Sequence, residues 1–271
     1  MLSRKSRFRN AFLPETYSES CYAADAPCDM PRSSKKNGVM TKMNENAFEE
    51  EQYTASEYLE EAESFLRTLA SLLYKELTQE QIDALRAYDF MSMRNDTENE
   101  DLSNGFYGLG RYLKRCGVNV RQDLAVEYAR IFLAAGVADG IGATPYESVF
   151  TSPEGLLMQD ARDEVVKIYR KQGMKVDKEL NDPEDHLAFE IQFLANMCEK
   201  TRVALDAEED VKELVGVQID FIDNHIFNWI NALMDKVDEY AMSGFYPSVM
   251  QVIRGYLTEH KAIMNELVQE V

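Results

Sequence analysis

The sequence lacks the features that mark secreted and membrane-spanning proteins. Its four cysteines are scattered over 271 residues and form no CxxC pair, so we expect free thiols in a reducing compartment. No apolar run approaches the roughly 18 residues of a membrane helix. Before Met40 the longest apolar run is only Ala11-Phe12-Leu13. These absences predict a cytoplasmic protein that has no signal peptide and no stable membrane insertion.

Positive charge is also scarce. The chain has 29 lysines and arginines against 48 aspartates and glutamates, which gives a net charge of -19. Such a charge repels a phosphate backbone and an anionic lipid surface. We therefore expect no nucleic-acid partner and favour a basic one.

Motifs for nucleotide binding and hydrolysis are missing as well. There is no G-x-x-x-x-G-K-[ST], no G-x-G-x-x-G after a strand and no G-x-S-x-G. The glycines of GFYGLGRY, residues 105–112, lie inside helix-like sequence and predict a close contact between helices. The three histidines are preceded at the third position by Pro183, Ile222 and Leu257. The Glu-x-x-His pairs of a di-iron bundle are therefore absent.

The first 50 residues differ from the rest. Up to Met40 the chain carries seven basic and four acidic residues, a charge of +3, so the remainder carries about -22. This Ser/Pro-rich stretch has no helical period, which predicts a disordered N-terminal extension over residues 1–50. Its opening SRKSRFRN is similar to an export signal but lacks adjacent arginines and an apolar h-region. A non-native extension, with Met40 or Met43 as the true start, is an alternative.

From about residue 52 onward the sequence predicts helices. Thr54 with Glu57, and Thr78 with Gln81, have the spacing of capping boxes, and apolar residues recur at steps of three and four. Ser152 followed by Pro153 predicts another helix start. The predicted helices cover residues 54–77, 78–91, 101–115, 121–135, 152–173, 182 to beyond 198, 206–242 and 247–271. A break within 206–242 is an alternative. The fold class is all-α, with a single helical bundle-like domain over 51–271.

The stretch NDPEDHLAFEIQFL, residues 181–194, carries a candidate site. With Asp182 as N-cap, Pro183 is the first helical residue and three carboxylates lie at the positive end of a helix. Asp182, His186 and Glu190 then share one face of the helix, and such a face is ordinarily exposed. Because these three side chains could hold a metal ion, a metal-dependent helical hydrolase is an alternative function.

The remaining candidate residues are predicted to have structural rather than catalytic roles. The spacing of Phe221, His225 and Trp229 predicts a core histidine, while His260 lies in polar sequence and is predicted at the surface. Cys198 falls on the buried stripe of its helix. In the TPYESVF segment, the aromatics beside a Gly-rich stretch indicate either a cover over the core or a surface for an apolar peptide.

Four short patterns follow one another along the chain: EYARIF at 127–132, PYESVF at 145–150, DPEDH at 182–186 and FIDNHIFNW at 221–229. This succession resembles the TorD/DmsD family of cytoplasmic maturation chaperones for molybdenum oxidoreductases. The last helix, with FYPSVMQVIRGYL, is also similar to the family's last helix. The resemblance covers about residues 52–271, and the ordered set is much more specific than any one pattern.

The resemblance implies a TorD-like chaperone without enzymatic activity, cofactor or metal. Its implied partners are the twin-arginine signal peptide and the apo-catalytic subunit of a molybdenum reductase, whose export it delays until the cofactor is inserted. A signal peptide has a basic n-region and an apolar h-region, so its receptor needs negative potential beside an apolar groove. An acidic scaffold for folded partners is a further alternative.

By match to the family patterns, nine residues would line or support the peptide site. They are Tyr128, Phe132, Pro145, Tyr146, Phe150, Pro183, Glu184, Asp185 and His186. The resemblance implies apolar contact for the aromatics and polar or ionic contact for Glu184, Asp185 and His186. The chain is expected to be a monomer, or a dimer that exchanges C-terminal helices through a hinge at 174–182.

Overall fold

The computed structural model describes residues 54–136, 142–177 and 180–270, and within these ranges the regular structure is helical, without a β-strand. The helices are α1 Ala55–Tyr74, α2 Gln79–Arg86, α3 Phe90–Asn95, α4 Glu100–Arg115, α5 Val120–Phe132, α6 Glu147–Thr151, α7 Asp160–Lys171, α8 Leu187–Asp206, α9 Lys212–Phe221, α10 Ile230–Tyr240 and α11 Phe245–Glu270. The all-α prediction is confirmed. The predicted disordered extension, 1–50, and two residues of the predicted hinge, 178–179, lie outside the described residues.

Both predicted capping boxes are present. The Thr54 hydroxyl accepts a hydrogen bond from the backbone N–H of Glu57 at 3.2 Å, and the Glu57 carboxylate accepts one from the N–H of Thr54 at 2.8 Å. The same reciprocal pair joins Thr78 and Gln81 at 3.2 and 2.9 Å. Each box satisfies two N–H groups that have no partner inside the helix.

In the second half of the chain one predicted helix start is absent, and a break that the sequence left open is present. The prediction that Ser152 and Pro153 begin a helix is wrong, because Ser152 ends α6 and α7 begins only at Asp160. Between these helices Gly155 and Met158 have φ values of 62° and 59°, in the left-handed region that no α-helix adopts. The predicted 206–242 helix is broken, with a π-helical turn, Ile222–Ile226, between α9 and α10.

The core is built from two long helix pairs, α1 against α8 and α4 against α11. The glycines of α4 permit the second contact: a Cβ on Gly105 would lie 2.6 Å from Val252 Cγ2 and 2.9 Å from the Ser248 carbonyl oxygen. A Cβ on Gly108 would lie 2.0 Å from Ser248 Oγ. The prediction that GFYGLGRY makes a close helix contact is therefore confirmed.

One polar cluster lies inside this core. The prediction that His260 lies on the surface is wrong, since its side chain is 0% exposed. Its Nδ1 is 2.7 Å from the Tyr58 hydroxyl and its Nε2 is 3.3 Å from Gln218 Oε1, so the ring connects α11 to α1 and α9. Burial lowers the pKa of His260 to about 4. Cys198 lies beside it and is buried, as predicted.

Among the described residues, no helix combines the length and the apolar character that crossing a membrane requires.

Candidate functional site

The DPEDH segment is a turn that ends where α8 begins. The prediction of Asp182 as N-cap and Pro183 as first helical residue is wrong, because α8 starts at Leu187 and His186 is its N-cap. The imidazole Nδ1 of His186 accepts the backbone N–H of Ala188 at 3.0 Å. Asp182 is thus outside the helix, and the predicted helical face of Asp182, His186 and Glu190 is not formed. The expected exposure of that face is also wrong, since His186 and Glu190 are buried.

The turn pairs with the PYESVF segment through a single antiparallel bridge between Tyr146 and His186. The N–H of Leu187 donates to the Pro145 carbonyl at 2.9 Å, and the N–H of Glu147 donates to the Asp185 carbonyl at 3.0 Å. The side chain of Asp185 adds a third bond, from the N–H at the start of α6 to its Oδ2. Two segments far apart in sequence are therefore held in one fixed register.

A pocket of about 470 Å³ opens beside this bridge. It is lined by Tyr74, Lys75, Glu76, Tyr128, Phe132, Leu133, Pro145, Tyr146, Asp182 and His186. Its walls come from the C-terminal ends of α1 and α5 and from the two bridged segments. Its size falls within the range of ligand pockets, and its walls combine aromatic and apolar side chains with charged ones.

Asp182 connects two walls of the pocket. Its carboxylate accepts the hydroxyl of Tyr74 at 3.1 Å and that of Tyr146 at 3.2 Å. The His186 ring makes edge contacts with both tyrosine rings, at centroid distances of 5.9 and 4.9 Å. Deeper in the wall, the Tyr128 hydroxyl donates to the Tyr74 carbonyl at 2.8 Å. The carboxylate is thus held at the pocket by groups from separate elements.

The pocket has one buried neutral ring among charged side chains. Burial lowers the pKa of His186 to about 4, although the charge of Asp182 acts in the opposite direction. The ring is therefore neutral at neutral pH, and because Nδ1 accepts a hydrogen bond, Nε2 carries the hydrogen. Glu76 and Asp182 supply negative charge, and the Lys75 ammonium lies 4.7 Å from the centre of the Tyr74 ring. The pocket offers carboxylates beside aromatic walls.

Five of the nine predicted site residues line this pocket: Tyr128, Phe132, Pro145, Tyr146 and His186. The other four are engaged elsewhere. Phe150 stacks on Trp229 with ring centres 5.3 Å apart, and the Pro183 carbonyl accepts the N–H of His186. Glu184 forms an ion pair with Arg162 at 2.6 Å. Asp185 is buried against α6.

Sequence reasoning missed four lining residues, Tyr74, Lys75, Glu76 and Leu133. It also assigned Asp182 to helix capping and to a metal face rather than to the pocket edge. Three of the missed residues follow one another at the end of α1, where no motif distinguishes them. Only the packing of α1 against α8 brings that end beside the DPEDH turn.

Behind the bridge lies a buried acidic network. Glu147 accepts hydrogen bonds from His225 Nδ1 at 3.1 Å and from Asn228 Nδ2 at 2.9 Å, so the prediction of a core histidine is confirmed. Glu190 is buried in the same region, and burial followed by the charges of Glu147 and Asp185 raises its pKa well above the ordinary value. Among the described residues no group of three or more His, Cys, Asp or Glu side chains is arranged to hold a metal ion.

The fold and the pocket together define an all-helical protein with a pocket between its elements, and comparison with known proteins gives its family. A family model described as nitrate reductase delta subunit matches residues 95–235. Chaperone protein TorD of Vibrio parahaemolyticus is 31% identical over 187 residues, which cover 68% of this chain and 85% of that protein. TorD of Vibrio cholerae is 28% identical over 207 residues, covering 74% and 91%.

The chain belongs to the TorD family of molybdoenzyme maturation chaperones, and it is not an enzyme.

Proposed function

We propose that this protein is a cytoplasmic chaperone that binds the twin-arginine signal peptide of a molybdenum-cofactor oxidoreductase in its apo form. By holding the signal peptide, it delays export while the cofactor is inserted into the catalytic subunit. The observation that carries the proposal is the pocket between α1, α5 and the Tyr146–His186 bridge, with aromatic walls and a carboxylate at its edge.

The chemistry of the pocket suits a leader peptide. An apolar side chain of the h-region would be buried against Phe132, Tyr128 and Leu133. A guanidinium of the n-region would meet Asp182 or Glu76, and paired oxygens are good acceptors for its planar fork. The charge of about -22 after Met40 would also speed the encounter with a basic peptide.

The site residues divide into two groups under this proposal. Tyr128, Phe132, Pro145, Tyr146 and His186 contact the peptide, with His186 acting as a neutral hydrogen-bond group. Phe150, Pro183, Glu184 and Asp185 support it, because they hold the bridged segments in place. Their substitution should therefore reduce stability together with binding.

Leu133→Lys tests the pocket directly. Leu133 is 61% exposed, so the change should leave the fold intact while it places an ammonium group where an apolar and basic peptide must lie. We expect the dissociation constant of a fluorescent twin-arginine leader, measured by anisotropy, to increase at least about tenfold, which is a loss of roughly 1.4 kcal/mol in binding free energy. The matched control is Val126→Lys on α5, which is 57% exposed and does not line the pocket.

Two results would contradict the proposal. One is the absence of binding to every member of a panel of twin-arginine leaders while the protein is folded. The other is equal weakening of leader binding by Leu133→Lys and Val126→Lys, since that would reflect net charge alone.

Capture of the client tests the role in maturation. We expect the protein to recover a cofactor-free reductase subunit with its leader still attached. Recovery of only mature, cofactor-loaded enzyme would contradict this role.

A further inference from the structure

We propose that the pocket binds, in cis, the chain's own basic N-terminal segment, residues Ser3–Leu13, and that a client leader must displace it. The inference rests on the proposed function and adds regulation to it. The occupant is identified by its chemistry, its charge and the length of chain that joins it to α1.

The order of groups in this segment is that of a leader. Arg4, Lys5, Arg7 and Arg9 come first, and the apolar run Ala11-Phe12-Leu13 follows. The pocket presents the complementary groups, with carboxylates at its edge and apolar walls beside them. The segment belongs to a stretch with a charge of +3, whereas the rest of the chain carries about -22. Opposite charge and matched apolar surface favour contact between the two.

The connecting chain has a suitable length. Forty residues, 14–53, separate Leu13 from Thr54, the N-cap of α1. The 20 residues of α1 then span about 30 Å from that cap to the end that lines the pocket. Forty residues are enough to reach this far, since a chain spans up to about 3.3 Å per residue. A segment tethered to the same chain within reach of the pocket has an effective concentration there on the order of 1 mM.

The segment should bind more weakly than a leader does. It has no adjacent arginines, and its apolar run is only three residues long. With a dissociation constant on the order of 0.1 mM and an effective concentration of about 1 mM, it would reduce the apparent affinity for a leader about tenfold. Such a competitor discriminates against weak basic peptides and still yields to a full leader.

The test uses the full chain with Arg4→Gln, Arg7→Gln, Arg9→Gln and Phe12→Ser, the N-terminal variant. We expect it to bind a twin-arginine leader about tenfold more tightly than the wild type does. Equal affinity of the two proteins for the leader would overturn the proposal.

The matched control removes the same three charges outside the segment, by Arg32→Gln, Lys35→Gln and Lys36→Gln. We expect the control to bind the leader as the wild type does. If it binds as tightly as the N-terminal variant does, the effect comes from net charge and the proposal is overturned.

A second measurement separates this proposal from the function on which it rests. A labelled peptide of residues 1–15 is added in trans to the N-terminal variant, with and without Leu133→Lys or Val126→Lys. Binding that Leu133→Lys weakens and Val126→Lys leaves unchanged supports docking at the pocket, even if no twin-arginine leader binds and the proposed function fails. No binding up to about 1 mM peptide overturns the docking, even if leaders bind tightly.

Discussion

The buried carboxyl group of Glu190 should make the protein less stable as the pH rises. Its side chain is 0% exposed, and neither oxygen accepts a hydrogen bond of ordinary geometry from the described residues. Burial, and then the charges of Glu147 and Asp185, raise the pKa of Glu190 well above the ordinary 4.5. The folded protein therefore keeps a proton on Glu190 at a pH where the unfolded chain has lost it.

The sign and size of the effect follow from proton linkage. The stabilising contribution is complete below pH 4.5 and is lost as the pH rises towards the native pKa of Glu190. In that window one titrating group costs about 1.4 kcal/mol per pH unit. Glu190→Gln removes the titration, and its amide can donate to the same neighbouring carboxylates. The free energy of unfolding of the variant, relative to wild type, should therefore increase as the pH rises above 4.5, with a slope of up to about 1.4 kcal/mol per pH unit until the native pKa is passed.

Urea unfolding at pH 5, 6 and 7, followed by circular dichroism, measures this difference directly. Both proteins should keep the same m-value, so that a change in midpoint reports stability. Glu60→Gln, an exposed glutamate on the same body, controls for the loss of one negative charge. A difference between Glu190→Gln and wild type that is constant with pH would contradict a protonated Glu190, because the group would then titrate alike in the folded and unfolded protein.

Three further predictions concern the core and the pocket wall. Gly105→Ala should destabilise the protein by about 1–3 kcal/mol, seen as a lower melting temperature, whereas Gly216→Ala in α9 has open space around its Cβ and should not. Tyr128→Phe removes the hydrogen bond to the Tyr74 carbonyl, so we expect a free energy of unfolding about 1 kcal/mol lower and weaker leader binding. If both values are unchanged, Tyr128 does not hold the pocket wall. The lowered pKa of His260, about 4, contributes stability that is present above pH 6.5 and lost as the pH falls. Between pH 6 and pH 5, the free energy of unfolding of His260→Gln, measured in urea, should therefore fall by about 1.4 kcal/mol per pH unit less than that of wild type. Equal decreases in the two proteins would contradict this.

The sequence alone determined the helical class and many helix starts, because those depend on nearby residues. The capping boxes at Thr54 and Thr78 are made by side chains three residues apart, so their spacing predicted them correctly. The glycines of GFYGLGRY predicted a close helix contact because only a missing side chain permits such an approach. The order of the four family patterns indicated the family, which the comparisons confirm.

Where α8 begins and what surrounds the pocket depend on contacts between distant parts of the chain. Aspartate is a good N-cap in isolation, but Asp182 instead accepts two tyrosine hydroxyls from other elements and Asp185 binds the backbone of α6. His186 therefore caps the helix four residues later than predicted. The pocket combines the end of α1 with the DPEDH turn, which lies more than a hundred residues away in sequence. No local pattern encodes such a meeting, because it results from the way whole helix faces bury their apolar surface.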